Sequence, residues 1–269
     1  REALRLEPRL RASRLRLIDA RLELHRTDEV EPLVEQGLQL LGDEPQLLVI
    51  RVRMRRLRGE LAEARADLRT LLQRHQDFEA GWATLLNWLD EERLDDELLA
   101  LQRDPPPALA DRPVLHAYAA DVRARRGELA GARRDLERAL VIAPDYEWAR
   151  DRLADVLWQL GLPRELLQLY PNASEPHQQT FLRASRLAAA FAATGRRGKA
   201  EVFFARLLHE PEADPQLLAA TDATLRRHHG RRQKELLRTA LAASEREHDA
   251  VRHENALAVL AGRRDARFF

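Results

Sequence analysis

Four glycines set the terms for this chain: Gly59, Gly127, Gly161 and Gly195 are separated by 68, 34 and 34 residues, so a single period of 34 accounts for every interval. The same register carries two further columns. Ala64, Ala132 and Ala200 stand five residues after their glycines, and Leu68, Leu136 and Phe204 follow four residues later. A fixed period of this size marks stacked supersecondary units, each unable to bury its apolar face alone. Setting the glycine at position 15 of the unit gives windows 11–44, 45–78, 79–112, 113–146, 147–180, 181–214 and 215–248. An amphipathic stretch over 249–262 is expected to cap the last face.

Only 11 Gly and 13 Pro punctuate 269 residues dominated by Leu, Ala, Arg and Glu, so each window reads as two helices joined at the glycine. Window 113–146 carries Ala119, Ala120, Gly127, Ala132, Leu136, Ala139 and Pro144, and window 181–214 carries Ala184, Leu187, Ala188, Phe191, Gly195, Ala200, Phe204 and Leu207. Window 79–112 supplies Trp82, Leu85, Leu86 and Leu89 on its first helix, and window 147–180 supplies Leu153, Ala154 and Leu157. This arrangement resembles in part the tetratricopeptide repeat (TPR), in which large and small residues of helix A lock against a small-x3-aromatic pair on helix B, with a Pro at the end. The resemblance implies an all-α fold, a right-handed TPR superhelix or α-solenoid of about seven helix-turn-helix units over 1–269. Small residues such as Ala120, Ala154 and Ala188 would let neighbouring helices approach closely. Gly-Glu-Leu occurs at both 59–61 and 127–129 and supplies the permissive turn.

Departures from the pattern carry their own expectations. Arg93 stands at the turn position of window 79–112, and Pro105-Pro106-Pro107 should stop helix B near Arg103. In window 147–180, Pro163 should open helix B and Pro171 should end it early, leaving Asn172-Ala173-Ser174-Glu175-Pro176 as loop. The outer windows are degenerate: the turn of 11–44 is expected near Thr27, and Gly230 comes one residue late in 215–248.

Composition excludes several chemistries. No cysteine is present, which removes disulfides, thiolate catalysis and cysteine-held zinc or iron–sulfur centres. The 45 basic and 44 acidic residues leave a net charge of +1, with no overall field drawing the chain to nucleic acid or an anionic membrane. No apolar run approaches the roughly 20 residues that span a bilayer. Among nine histidines none forms a helical i, i+4 pair around a carboxylate; His228 and His229 are adjacent, and His248 and His253 are five apart. No Gly-rich phosphate loop or G-x-S-x-G elbow occurs, and carboxylate pairs such as Asp95 and Asp96 read as solvated helix faces in a chain that is 33% charged. The expectation is a protein that is not an enzyme and has no catalytic residue, no metal and no cofactor.

The candidate site is the concave groove that the TPR resemblance implies, lined by helix A positions 2, 5, 6, 9, 12 and 13. On this chain those positions give Arg53, Arg56, Asn87, Asp90, Tyr118, Asp121, Arg125, Trp148, Arg152, Asp155 and Trp158. Arg, Tyr and Trp are enriched at interface hot spots. Trp148 and Trp158 lie ten apart on one helix and so share a face, where they either line the groove or pack between repeats. Trp82, at the packing position, belongs to the core. The position 9 column reads Asp19, Arg53, Asn87, Asp121, Asp155, Ala189 and Ala223, so the Lys and Asn clamp with which some TPR proteins grip a C-terminal carboxylate is absent. A groove of mixed sign suits a partner with basic and apolar elements.

Two basic clusters, Arg1, Arg5, Arg9, Arg11, Arg14 and Arg16 at one end and Arg226, Arg227, Arg231, Arg232, Lys234 and Arg238 at the other, lack interleaved aromatics for stacking bases. They read as solvated faces or as patches for a protein partner. The function expected is a scaffold binding one or more proteins, with no nucleic acid, no membrane insertion of this segment and no small-molecule cofactor. All basic residues but Lys199 and Lys234 are arginine, which fits the codon usage of a GC-rich bacterium. Without a signal peptide or initiator Met at Arg1, the chain reads as cut from a longer protein. Its Arg-rich, Cys-free character is similar in style to the periplasmic TPR region of bacterial exopolysaccharide export proteins. The alternatives are a substrate-recognition module attached to a glycosyltransferase or sulfotransferase, and a cytoplasmic assembly or regulatory TPR protein.

Overall fold

Eight of the described residues have positive φ: seven stand at the helix reversals, His25 (φ 55°), Gly59 (87°), Arg93 (55°), Gly127 (77°), Gly161 (72°), Gly195 (77°) and Gly230 (57°), and Gly42 (73°) follows the helix Val30–Leu41. The first six reversals are spaced by 34 residues, and the seventh follows after 35. In this computed structural model residues 7, 9–171, 180–211, 213–247 and 249–265 are described. They form helices, with no strand among the described residues. In chain order the α-helices are α1 (Arg11–Glu23), α2 (Val30–Leu41), α3 (Pro45–Leu57), α4 (Leu61–Arg74), α5 (Glu79–Glu91), α6 (Asp95–Arg103), α7 (Pro107–Ala110) and α8 (Pro113–Arg125). They continue as α9 (Leu129–Ile142), α10 (Glu147–Gln159), α11 (Pro163–Gln168), α12 (Phe181–Ala193), α13 (Arg197–Leu207), α14 (Pro215–His229), α15 (Arg231–Glu247) and α16 (Ala250–Asp265).

The A helices α1, α3, α5, α8, α10, α12 and α14 begin at 11, 45, 79, 113, 147, 181 and 215, so the sequence period is also the period of helix starts. Each is followed, after one to six intervening residues, by a B helix. The columns read from the sequence are buried: Ala64, Ala132 and Ala200 without exposure, and Leu68, Leu136 and Phe204 with essentially none. Ala120, Ala154 and Ala188 are buried as well, which keeps side-chain bulk out of the places where helices meet. The fold is an all-α array of TPR-type helix pairs.

The irregular windows follow their prolines. Helix α6 ends at Arg103, ahead of the triple proline, and a short turn of helix, α7, restarts at Pro107. Pro163 opens α11, which runs only to Gln168; the loop expected at Asn172–Pro176 lies outside the described residues. One expectation is corrected. The turn of the first window falls at His25, ahead of Thr27, which opens a 3-10 turn over Thr27–Glu29 leading into α2. His25 and Arg93 take the left-handed conformation without being glycine because the periodic register on both sides demands the reversal there.

Arg14 corrects a second expectation. It is 1% exposed and belongs to neither a solvated face nor a patch. Its guanidinium donates to the Leu33 carbonyl at 3.0 Å and to Gln36 Oε1 at 3.1 Å. Gly37 makes this possible, since a Cβ there would stand 2.6 Å from Arg14 Cδ. Burial pulls the Arg14 guanidinium below its ordinary pKa.

The described residues divide into two compact units, residues 1–122 and 123–269. In the first, Ile18, Val30, Val34, Leu47 and Met54 form one cluster, and a larger one runs from Leu48 to Val122. In it Trp82 is buried and donates its indole N–H to the Gln76 carbonyl at 2.8 Å. In the second unit α16 covers the end of α13: the Asn255 amide donates to the Leu208 and Glu210 carbonyls at 3.1 and 2.8 Å. Asp249 caps α16 by accepting from the Arg252 N–H at 2.9 Å and pairs with His209 at 3.0 Å.

Two predictions follow from these contacts. Nothing lies within 4 Å of a Cβ added at Gly59, so Gly59→Ala meets only the backbone cost of a positive φ and should destabilise the first unit by about 1 kcal/mol. Arg93→Gly removes the same cost and should stabilise it by a similar amount, about 1 kcal/mol, both read as urea midpoints. At Asp249, the hydrogen bond from the Arg252 N–H and the neighbouring His209 hold the carboxyl below its usual pKa. A carboxylate depressed in the folded state stabilises above its unfolded pKa, and that contribution is lost as pH falls through the folded value. Asp249→Ala should therefore lower the melting temperature at neutral pH, with the gap closing only below about pH 4 in a series of thermal melts.

Candidate functional site

Helices α1, α3, α5 and α8 present their outer residues to a groove of roughly 930 Å³ in the first unit, lined by Asp19, Leu22, Ile50, Arg53, Met54, Arg56, Leu57, Leu61, Ala80, Ala83, Thr84, Asn87, Trp88, Glu91 and Tyr118. Four of the residues expected there, Arg53, Arg56, Asn87 and Tyr118, are brought together around it. Their positions follow from helical geometry: Arg53 and Arg56 are one turn apart on α3, and Asn87 and Tyr118 occupy nearby positions of the unit on successive A helices.

Hydrogen bonds run along the groove from helix to helix. Arg53 Nη2 donates to Thr84 Oγ1 at 2.8 Å, and the Tyr118 hydroxyl donates to Asn87 Oδ1 at 3.1 Å. Asn87 Nδ2 in turn donates to Glu91 Oε1 at 2.7 Å. Burial, and after it the carboxylates of Asp90, Glu91 and Asp121, push the Tyr118 phenol above its ordinary pKa, so at neutral pH it is a donor. Arg56 pairs with Glu91 at 2.7 Å and with Glu92, and its guanidinium carbon stands 4.6 Å from the centre of the Trp88 ring. The carboxylates compensate the charge, while the stacking fixes the guanidinium plane.

Trp88 was not among the expected groove residues. It sits at position 10 of its unit, outside the columns assigned to the groove, and is 5% exposed. The signal that finds it is the pairing of a Trp with an Arg one repeat earlier, which becomes visible only when α3 and α5 are set side by side. Apolar surface is open along the same groove: Leu57 is 71% exposed and Leu61 is 42% exposed. Asp90 does not line it and faces Arg93 at 3.7 Å. Asp121 is half-buried near the Tyr118 phenol, and Arg125 is exposed at the end of α8.

In the second unit α10 carries Trp148, Arg152, Asp155 and Trp158. Both tryptophans are half-buried. The Arg152 guanidinium lies 5.6 Å from the centre of the Trp148 ring, and Tyr146 packs against Trp148 with centroids 5.9 Å apart. Asp155 pairs with Arg186 of α12. One turn earlier, Asp151 receives Arg183 in a two-pronged bond, Nε to Oδ1 at 2.7 Å and Nη2 to Oδ2 at 3.0 Å, and accepts the Tyr170 hydroxyl at 2.6 Å. Arg183 also reaches Glu147 at 3.0 Å and stands 5.0 Å from the Tyr170 ring centre. Burial and then the bond to Asp151 drive the Tyr170 phenol far above its ordinary pKa, and the Asp151 bond holds the Arg183 guanidinium more firmly protonated. This network ties α10 to α12 beside the six-residue α11, whose Leu166 is buried.

Of the basic clusters, Arg1 and Arg5 lie outside the described residues, Arg11 pairs with Glu44 at 2.9 Å, and Arg226 pairs with the buried Asp222 at 2.9 Å. His229 is buried and His228 exposed, so the two adjacent rings point apart. Among the described residues no group of three or more His, Asp or Glu is placed to hold a metal ion, and no helix is long and apolar enough to cross a membrane.

No known protein family matches the chain, and no curated protein matches it. Among solved structures it is similar to a chain of the APC/C hetero-tetramer Cut9–Hcn1, at 16% identity over 87% of this chain and 42% of that one, with a TM-score of 0.47. It is similar to a chain of the Naa15/Naa10 complex with HypK, at 15% identity over 93% and 38%, with a TM-score of 0.45. A thermophilic TPR protein of Thermus thermophilus is 21% identical over 80% of this chain and 98% of its own, with a TM-score of 0.30. The chain thus spans less than half of the first two.

The Arg183 network yields a stability prediction. Arg183→Ala leaves the half-buried Asp151 with the Tyr170 hydroxyl as its remaining partner in the network and should cost about 2–3 kcal/mol. Tyr170→Phe, which removes one hydrogen bond and keeps the ion pair, should cost about 1 kcal/mol. Urea titrations of both variants check the order.

Proposed function

We propose that this chain is a scaffold that holds a partner protein in the groove formed by α1, α3, α5 and α8. The observation that carries the reading is the combination of exposed apolar surface at Leu57 and Leu61 with an oriented polar rim of Arg53, Asn87, Glu91 and Tyr118. Apolar side chains left open beside fixed donors and acceptors are what an interface core and rim require. Arg56 stacked on Trp88 places a flat, pre-ordered surface at the same spot, and Arg and Trp are the residues that most often anchor interfaces. Asp19 and Glu91 within the lining favour a partner segment that brings basic as well as apolar side chains. We infer no catalytic role. A place in a periplasmic exopolysaccharide secretion assembly is a narrower proposal that rests on composition, and a β-barrel pattern in the sequence beyond Phe269 is the observation that would support it.

Ala83 lines the groove with its side chain exposed, so Ala83→Arg should leave the melting temperature unchanged. By filling the groove it should weaken partner capture at least tenfold. A photo-crosslinking residue at Ala83 should label a host protein that the same residue at Glu63, exposed on α4, does not label. Equal labelling at the two positions, or capture unchanged by Ala83→Arg, refutes the groove reading.

A further inference from the structure

A second cleft, of roughly 610 Å³, opens in the second unit among Arg164, Leu167, Gln168, Tyr170, Pro171, Phe191, Thr194, Arg196 and Lys199. Among the described residues its lining contains three cations and no carboxylate. Several other arginines of this unit are matched: Arg133 to Glu137 and Glu165, Arg186 to Asp155, Arg206 to Glu210. Arg164, Arg196 and Lys199 form no ion pair among the described residues, and all three are exposed. Arg196 and Lys199 converge, their charged ends 5.9 and 5.4 Å from the centre of the buried Phe191 ring. Two like charges held over one ring repel each other, and the ring quadrupole offsets only part of that repulsion. Helix α13 adds to the field: it begins at Arg197 with no acidic residue in its first turn, so the positive end of its dipole points the same way.

We propose that this cleft is a binding site for the carboxylates of an acidic peptide segment of a partner protein, distinct from the groove of the first unit. The guanidinium forks of Arg164 and Arg196 suit carboxylates, and Lys199 supplies a mobile point charge between the two helices' contributions. The volume holds several side chains, far more than one inorganic phosphate fills. Nucleic acid is the poorer fit, because the aromatic ring that defines the floor, Phe191, is buried beneath its cations and offers no face on which to stack a base. The site stands on the second unit alone.

The test is fluorescence anisotropy with a labelled hexaglutamate peptide and the intact chain, at low and at physiological salt, with a labelled single-stranded oligonucleotide of six bases as the other arm. The expected result is saturable binding of hexaglutamate that weakens with salt, falls at least tenfold in the Arg196→Ala/Lys199→Ala double variant and falls about threefold in Arg164→Ala, with circular dichroism unchanged. Ala83→Arg, which blocks the other groove, should leave this binding unaltered, so the two sites fail or stand separately. Hexaglutamate that does not saturate, an affinity indifferent to the double variant, or an oligonucleotide held more tightly through the same residues overturns the proposal.

Discussion

The structure depends on one backbone reversal repeated through the chain. A residue with positive φ ends each A helix and returns the chain for its B helix, and because the reversal recurs every 34 residues up to Gly195, equivalent side chains of successive repeats meet in the same relation. That phase buries Ala64, Ala132 and Ala200, and one turn on Leu68, Leu136 and Phe204. A shift of one residue would rotate a helix by about 100° and carry these columns off the contact. Glycine meets the reversal at no steric cost at most positions. At His25 and Arg93 the packing on either side imposes the same conformation on residues that resist it.

Charge is distributed over this frame in three ways. Most arginines pair with nearby acids at the surface, where each pair is worth little. A few pairs are held by more than charge: Arg183 grips Asp151 with two prongs, and Arg56 lies over Trp88 while meeting Glu91 and Glu92. Other cations, among them Arg196 and Lys199 over Phe191, meet no acid among the described residues. A net charge of +1 conceals these local inequalities, and it is at the open apolar surface and the uncompensated charge that a folded scaffold has something left to offer a partner.

Much of the fold could be read from the letters because its signals are local or periodic. The glycine spacing set the register, the alanine columns set the contacts, and the prolines at 105–107 and 163 placed the ends of α6 and the start of α11. The turn at His25 is legible only as lying near Thr27 because no glycine marks it; subtracting the period from Gly59 gives His25 itself. The burial of Arg14 depends on the missing Cβ of Gly37, a pairing between helices that leaves no periodic trace. At the candidate groove, Arg53, Arg56, Asn87 and Tyr118 came from the register, whereas Trp88 emerged only from its contact with an arginine in the preceding repeat. The cleft over Phe191 was invisible for a related reason: it needs the positions of the acids that are absent from it as much as those of the cations present.

The central claim is that one left-handed residue at each A–B reversal sets the phase of the helix pairs, including where that residue is not glycine. Backbone chemical shifts with amide-to-Hα couplings and intraresidue nuclear Overhauser effects at His25 and Arg93 test it most directly. The account predicts positive φ at both, matching Gly59 and Gly127. Helical or extended backbone at either residue would contradict it.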